Sequence, residues 1–451
     1  MKRTCLLTSL LCTVFIISAQ SPIRLGLNEA LLYADQHNTN HKNAQLDIGI
    51  AKETIKQTAS YGLPQISLSA NYQHFLKIPG NYAPNIFDKS AGAPEFLFLQ
   101  FQQEYQSSSS LSVSQLLFDG TYLVGLQATK AFLELNELLK LKTQTDMHLA
   151  VSKSYLTALS TQKNLRLIDA NIQLLAKNRQ DVVELYKEGF AESLDVDRLT
   201  LALNNLNLQR DRLENTIEIT KNALKIQMGM PVESSIELTD SIESLEELLL
   251  VEESNLGTFS PNNRIEHKLL NQGILLNNLD KKRFKASSLP SLLAFYQFQK
   301  NTNRSDFNFF QANLAKNNDW VPSSLYGASL KLPIFAGGLT RSKIKEIDIK
   351  LNKTKNEMDN FDRFAILDYT NAKQSYGLAI KIVVNQKENV ALAQRIFDKS
   401  TIKYKEGVGS TLEVIQAQTD LQSAFNNYMN ALNDLVLAKI DYRNACGKTL
   451  E

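Results

Sequence analysis

Five histidines, at positions 37, 41, 74, 148 and 267, and three cysteines, at 5, 12 and 446, are the side chains best suited to metal or nucleophilic chemistry. His37 and His41 stand four apart, a spacing that puts both rings on one face of a helix, where they could share a metal ion. Two ligands do not make a site. Asn38 rather than Glu follows His37, which breaks the zinc-protease pattern, and no cysteine cluster is at hand to complete the coordination. Phosphate-cradling loops and nucleophile elbows are missing as well. The pair is expected to be two surface residues of the first helix, in a chain with no catalytic residue, no cofactor and no metal.

The carboxylates with the most telling positions are Asp195 and Glu413. Each follows a glycine, Gly189 or Gly407, at which one helix must stop and the next return. Glycine takes the left-handed cap of a helix without steric penalty. Ser193 and Thr411 then read as N-caps, with Asp195 and Glu413 in the first turn, where negative charge favours the helix dipole. Simple capping is one role for these acids; gating is the other.

The elements that position them are unusually long. Sixty-three residues without Gly or Pro separate Gly125 from Gly189, and 68 interrupted only by Gly377 separate Gly338 from Gly407. Each stretch can form one helix of about 95–100 Å. Two medium stretches follow across the glycines, 39 residues from Phe190 to Met228 and 37 from Ser410 to Cys446. Leu135, Leu138, Leu149, Leu156, Leu159 and Leu175 recur at mixed three, four and seven spacing, as in a helix packed on neighbours along its length. Such helices imply an elongated molecule.

The plan repeats. Tyr186-Lys187-Glu188-Gly189 recurs as Tyr404-Lys405-Glu406-Gly407, an offset of 218 that also relates Ser193-Leu194-Asp195-Val196 to Thr411-Leu412-Glu413-Val414 and Gly229 to Gly447. The expected organisation is a signal peptide over 1–19, a first repeat over 20–229, an acidic segment over 230–261, a second repeat over 262–447 and a tail over 448–451. The signal rests on Lys2 and Arg3 followed by an apolar run to Ile17. Leu11 before Cys12 argues against lipidation. Without Lys2 and Arg3 the 49 bases match the 47 acids one for one, which gives no reason to expect nucleic acid as a partner.

Strands precede each long helix. Ile66, Leu68, Ala70 and Tyr72 alternate with polar residues, as do Leu111, Val113 and Leu117. The second repeat offers Leu292, Ala294, Tyr296 and Phe298, then Tyr326, Ala328, Leu330, Leu332 and Ile334. Segments 61–122 and 289–335 hold 20 of the 37 aromatic residues, a concentration that suits interfacial girdles around a lipid-facing band. Leu330 is expected near mid-strand, facing lipid. The connections, roughly 76–106 and 300–322, are expected to be surface loops. Four strands cannot close a barrel, and an open edge in lipid leaves backbone groups unsatisfied. Several chains must therefore share one: eight strands in a dimer, twelve and an open lumen in a trimer. A secreted periplasmic coiled-coil adaptor or scaffold that forms no channel is the competing reading.

Leu27-Asn28-Glu29-Ala30-Leu31, Leu63-Pro64, Leu117-Phe118-Asp119-Gly120, Leu332-Pro333-Ile334-Phe335-Ala336-Gly337-Gly338 and the paired glycine turns together resemble the TolC-like outer-membrane efflux proteins. That resemblance implies a long antiparallel α-helical tunnel plus four β-strands per chain, contributing to a trimeric transmembrane β-barrel in outer-membrane lipid. It implies a homotrimer serving as exit duct for an inner-membrane pump through a periplasmic adaptor protein. Gly189, Ala191, Ser193, Gly407, Gly409, Ser410 and Thr411 would form the periplasmic tip that meets the adaptor, and residues 230–261 a belt around the tunnel. Asp195 and Glu413 would ring a constriction that prefers cations. The family carries a second acid one turn beyond the first in the second repeat. Here Gln416 stands at that place and Arg198 at its equivalent in the first, which weakens the ring and leaves Arg198 free to pair with an acid of a neighbouring helix.

Overall fold

A computed structural model describes residues 22–88, 90–240, 259–307, 309 and 320–448. The signal segment, positions 241–258 of the acidic segment and the tail beyond Lys448 lie outside the described residues. In chain order the helices are α1 (Leu27–His37), α2 (Thr39–Ser60), α3 (Gly120–Lys187), α4 (Ser193–Met228), α5 (Ile265–Ala286), α6 (Leu339–Lys405) and α7 (Thr411–Ala445). The strands are β1 (Ile23–Leu25), β2 (Gln65–His74), β3 (Asn81–Pro84), β4 (Phe96–Leu99), β5 (Tyr105–Phe118), β6 (Ile236–Leu238), β7 (Ser291–Arg304) and β8 (Val321–Lys331). The long helices α3 and α6 run unbroken for 68 and 67 residues. Gly125 and Gly377 lie within them; one glycine costs about 1 kcal/mol, too little to stop a helix packed along its length.

The chain forms two compact units, each drawn from both halves of the sequence. One comprises 47–137 and 269–358. At its centre is an antiparallel sheet in the order β2-β5-β7-β8, so the two hairpins join through β5 and β7. The register sorts side chains by type. Ile66, Val113, Tyr296 and Tyr326 share one row, and Leu68, Leu111 and Phe298 the next. On the opposite face Ser67, Ser112, Gln297 and Leu325 align, then Ser69, Ser110, Gln299 and Ser323, then Asn71, Ser108, Asn301 and Val321, a mainly polar face that also holds Phe295 and Leu293. Gln297 Nε2 donates to Ser110 Oγ at 2.9 Å, a side-chain ladder on that polar face.

Three details depart from the sequence reading. Strand β7 continues through Asn301-Thr302-Asn303-Arg304, and β8 ends at Lys331, leaving Leu332 and Ile334 outside it. Leu330 is consequently next to last in its strand, opposite Leu292, rather than near the middle. The segment between β2 and β5 is also not simply a loop: β3 and β4 pair within it, with Tyr82 opposite Phe98 and Pro84 opposite Phe96.

The other unit comprises 1–46, 138–268 and 359–451. Its core draws on Val151, Tyr155, Leu224, Leu432, Leu435 and Ile440, all nearly or fully buried. Parallel strands β1 and β6 tie the start of the chain to the segment after α4. Beside them Tyr155 Oη donates to Asp240 Oδ2 at 2.8 Å, and the same oxygen accepts the Leu27 N–H at 2.8 Å. Asp240 thus satisfies a free donor at the start of α1 from 213 residues away.

His37 and His41 are not on one continuous helix. Asn38 ends α1 in an extended conformation, donates to the Gln227 carbonyl at 2.7 Å, and accepts the His41 N–H through its side chain at 3.0 Å. His37 stacks on Tyr33, with ring centroids 4.1 Å apart. His41 is buried rather than on the surface, and burial above all lowers its pKa, opposing its protonated form. Among the described residues no three His, Cys, Asp or Glu side chains gather where they could hold a metal ion.

Candidate functional site

The paired turns are built from the same backbone device. At the end of α3, Gly189 adopts φ 83°, its N–H reaches the Tyr186 carbonyl at 3.1 Å, and the Phe190 N–H reaches Leu185 at 2.8 Å. At the end of α6, Gly407 adopts φ 73°, with N–H bonds from Gly407 to Tyr404 at 3.0 Å and from Val408 to Lys403 at 3.1 Å. This is the Schellman closure, in which two orphan carbonyls are satisfied and the chain is turned back. Gly229 and Gly447, the other pair at the 218 offset, close α4 and α7 with φ 76° and 74°.

The caps of the returning helices fall one residue earlier than the sequence reading placed them. Glu192, not Ser193, is the N-cap of α4 and shares a capping box with Asp195, whose Oδ2 accepts the Glu192 N–H at 3.4 Å. Ser410, not Thr411, caps α7: its Oγ accepts the Glu413 N–H at 3.2 Å. Ser193 and Thr411 are the first helical residues. The physical reason is bonding to the third residue of the helix. At each site the residue one place earlier makes that bond, reciprocally at Glu192 and Asp195 and one way at Ser410, which fixes the helix start there.

The two acids therefore differ. Asp195 spends its carboxylate on the capping box and is half-buried, whereas Glu413 contributes only its backbone N–H to the cap and leaves its carboxylate exposed. Gln416 donates to Asp420 at 2.9 Å. Arg198 makes no ion pair among the described residues. It lines a groove of about 440 Å³ between α4 and α7 with Leu201, Leu206, Leu412, Ile415 and Gln418. Gln418 is 4% exposed, and neither polar atom of its amide has a hydrogen-bond partner among the described residues. The two turns lie at one end of this unit, since Tyr404 packs on the cluster of Leu175, Val182, Leu199 and Leu206, and Ala191 joins the same cluster. Gly409 is small because of its own chain: a Cβ there would come 2.9 Å from the Tyr404 nitrogen.

The sequence reading passed over the residues just beyond the turn glycines. Phe190 and Val408, again 218 apart, are 80% and 77% exposed, and Leu194 and Leu412 next to them are also exposed. In a Schellman closure the residue after the glycine commonly packs back onto its own helix. Two large apolar side chains that instead project outward at equivalent places form a patch suited to a partner. The signal was available in the repeat itself, because Phe190 and Val408 occupy matching positions.

A larger cavity, about 500 Å³, lies at the start of α5 and the end of α7, lined by Arg264, Glu266, Lys268, Arg443 and Lys448 among others. Arg264 there is tied to Asp368 at 3.0 Å, and Lys142 to Glu266 at 3.3 Å. Burial pushes the Glu266 carboxyl up, but its own backbone N–H, Arg264 and Lys142 outweigh that and hold it below its ordinary value. These ion pairs brace helices.

The family model described as outer membrane efflux protein matches residues 285–448. Outer membrane protein TolC of Vibrio cholerae serotype O1 is 21% identical over 411 residues, 89% of this chain and 86% of that protein. The chain is similar to TolC along most of its length, and its second half carries the outer membrane efflux protein pattern. Its fold agrees with that similarity. The structure of the outer membrane protein VceC from Vibrio cholerae superposes with a TM-score of 0.70 at 14% identity, over 94% of this chain and 97% of that one. CusC, whose structures concern folding and transmembrane channel formation, superposes at 0.71 and 14% identity over 94% and 92%.

Proposed function

We propose that three copies of this chain form an outer-membrane duct, through which an inner-membrane pump expels its substrates by way of a periplasmic adaptor. The observation that carries this reading is the sheet of β2, β5, β7 and β8. One face carries an apolar band through Ile66, Val113, Tyr296 and Tyr326, the other is rich in serine and glutamine with Leu293, Phe295, Val321 and Leu325 among them, and the two edge strands, β2 and β8, have no further neighbour among the described residues. Every residue of β2 is exposed. An edge of that kind in lipid needs a partner strand. Pairing β8 of one copy with β2 of the next closes twelve strands with the apolar face toward lipid and the polar face toward water. The names of TolC and of the channel-forming relatives point the same way.

The signal peptide over 1–19, the repeats over 20–229 and 262–447 and the segment over 230–261 complete this reading, with the turns at Gly189 and Gly407 as the periplasmic tip. Each turn is one helix of 67 or 68 residues away along the chain from the strands. Phe190, Leu194, Val408 and Leu412 supply the apolar contact for the adaptor, and Ala191, Gly409 and Ser410 the close approach. Photo-cross-linkers at residues 190 and 408 should capture a periplasmic protein in cells. Capture only from the loops at 76–104 would reverse the orientation, and a protein that never enters the outer-membrane fraction would favour the coiled-coil scaffold instead.

Glu413 is the better candidate for the constriction, because its carboxylate is free where that of Asp195 is engaged. Three copies around one axis focus a field that favours cations. In planar bilayers Glu413→Gln should weaken cation preference and raise the resting conductance, while Asp195→Asn should leave both close to wild type and lower helix stability by about 1 kcal/mol. Equal selectivity in Glu413→Gln and wild type would reduce Glu413 to a residue of the first turn.

A further inference from the structure

The four strands of the central sheet contain no aspartate or glutamate, although the whole chain carries 47 acids. They do contain three strong bases, Lys300, Arg304 and Lys331. Register separates them. Lys300 and Arg304 share the face of Tyr296 and Phe298, whereas Lys331 lies on the face of Ser323, Leu325, Gly327 and Ser329, the only charged residue on the serine- and glutamine-rich side of these strands. It is the last residue of β8, opposite Ser291, at the end of the sheet where the strands meet their helices. Its ammonium is exposed and makes no ion pair among the described residues. The acid nearest this end of the strands in sequence is Asp119, and it is committed elsewhere: it accepts from the backbone of Thr121 and Tyr122 at 2.7 and 2.9 Å and from the Thr121 hydroxyl.

We propose that Lys331 is the charge-selecting residue of the barrel, three copies forming an anion-attracting ring at its helix-side mouth. This rests on the trimeric duct proposed above. Three like charges on a wall that holds no opposing carboxylate raise the local concentration of anions and lower that of cations. The effect must fade with salt, because screening at 1 M reaches within about 3 Å of each charge. The duct then carries charge of both signs, acidic at the tip residues and basic at the barrel.

The test uses the full-length trimer in planar bilayers, at low and at 1 M potassium chloride, with inositol hexakisphosphate as a polyanion probe. Lys331→Gln and Lys331→Glu should shift the reversal potential toward cations, the second more than the first, and Lys331→Arg should match wild type. The polyanion should block the wild-type current at low salt and lose about tenfold in potency in Lys331→Gln. At 1 M salt the differences should vanish. Wild-type channels that the polyanion does not block overturn the Lys331 ring, even if a variant fails to assemble. So do channels whose reversal potential is indifferent to Lys331→Glu. A wild-type protein that gives no channel removes the duct itself, an outcome distinct from either.

Discussion

Val113→Arg should abolish assembly of the barrel while Leu330→Arg is tolerated. Val113 lies in the middle of the rows on its face that also span β7 and β8, between Ile66 on one side and Tyr296 on the other. Between β7 and β8 two further rows lie on either side of it, down to Leu292 and Leu330 and up to Lys300 and Pro322. An arginine at the bilayer midplane of a barrel costs about 2–4 kcal/mol, and one near the interface about 0–1 kcal/mol. The expectation formed from the sequence, that Leu330 marks the midplane, moves to Val113 because β8 ends at Lys331. Heat-resistant oligomer on a semi-native gel is the measurement. Normal assembly of Val113→Arg would mean that this face does not meet lipid.

Gly229→Ala should destabilise far more than Gly189→Ala, although the two glycines share one conformation. Left-handed backbone costs a residue with a Cβ about 1–2 kcal/mol at either place. At Gly189 nothing lies within 4 Å of the added carbon. At Gly229 it would meet the His37 carbonyl oxygen at 2.6 Å and the Asn38 Cα at 2.9 Å, backbone that cannot swing aside. Overpacking adds about 1–3 kcal/mol. The Asn38 bond to Gln227 would be strained as well, because it crosses the same contact. Thermal unfolding of the two purified variants compares them directly, and equal shifts would refute the packing argument.

The long helices and their turns were legible because glycine and proline are rare and the 218-residue repeat reports the same punctuation twice. The strand cores were legible for a similar reason: Ile66 to Tyr72 and Tyr326 to Leu330 alternate at period two. Strand ends were not. Asn301-Thr302-Asn303-Arg304 has the composition of a loop, yet it pairs residue by residue with Ser108, Ser107, Gln106 and Tyr105, since the ladder is made by backbone groups that every one of these residues carries. The β3–β4 hairpin was hidden because Phe96-Leu97-Phe98-Leu99 is apolar throughout and carries no alternation. The break at Asn38 is partly tertiary in origin, through the carbonyl of Gln227 on α4, and its one local mark is Asn38 itself, a good N-cap residue that bonds the His41 N–H. At the site, the glycines and the first-turn acids were readable from spacing, while the one-residue shift of each cap depends on which side chain reaches the third residue of the helix.

The central claim is that the sheet of one chain is a third of a closed barrel. The most direct measurement is the mass of the full-length protein extracted from outer membranes in mild detergent, by light scattering corrected for bound detergent. The account predicts three chains, with no lighter species at equilibrium. A stable, folded monomer with the same four strands would contradict it.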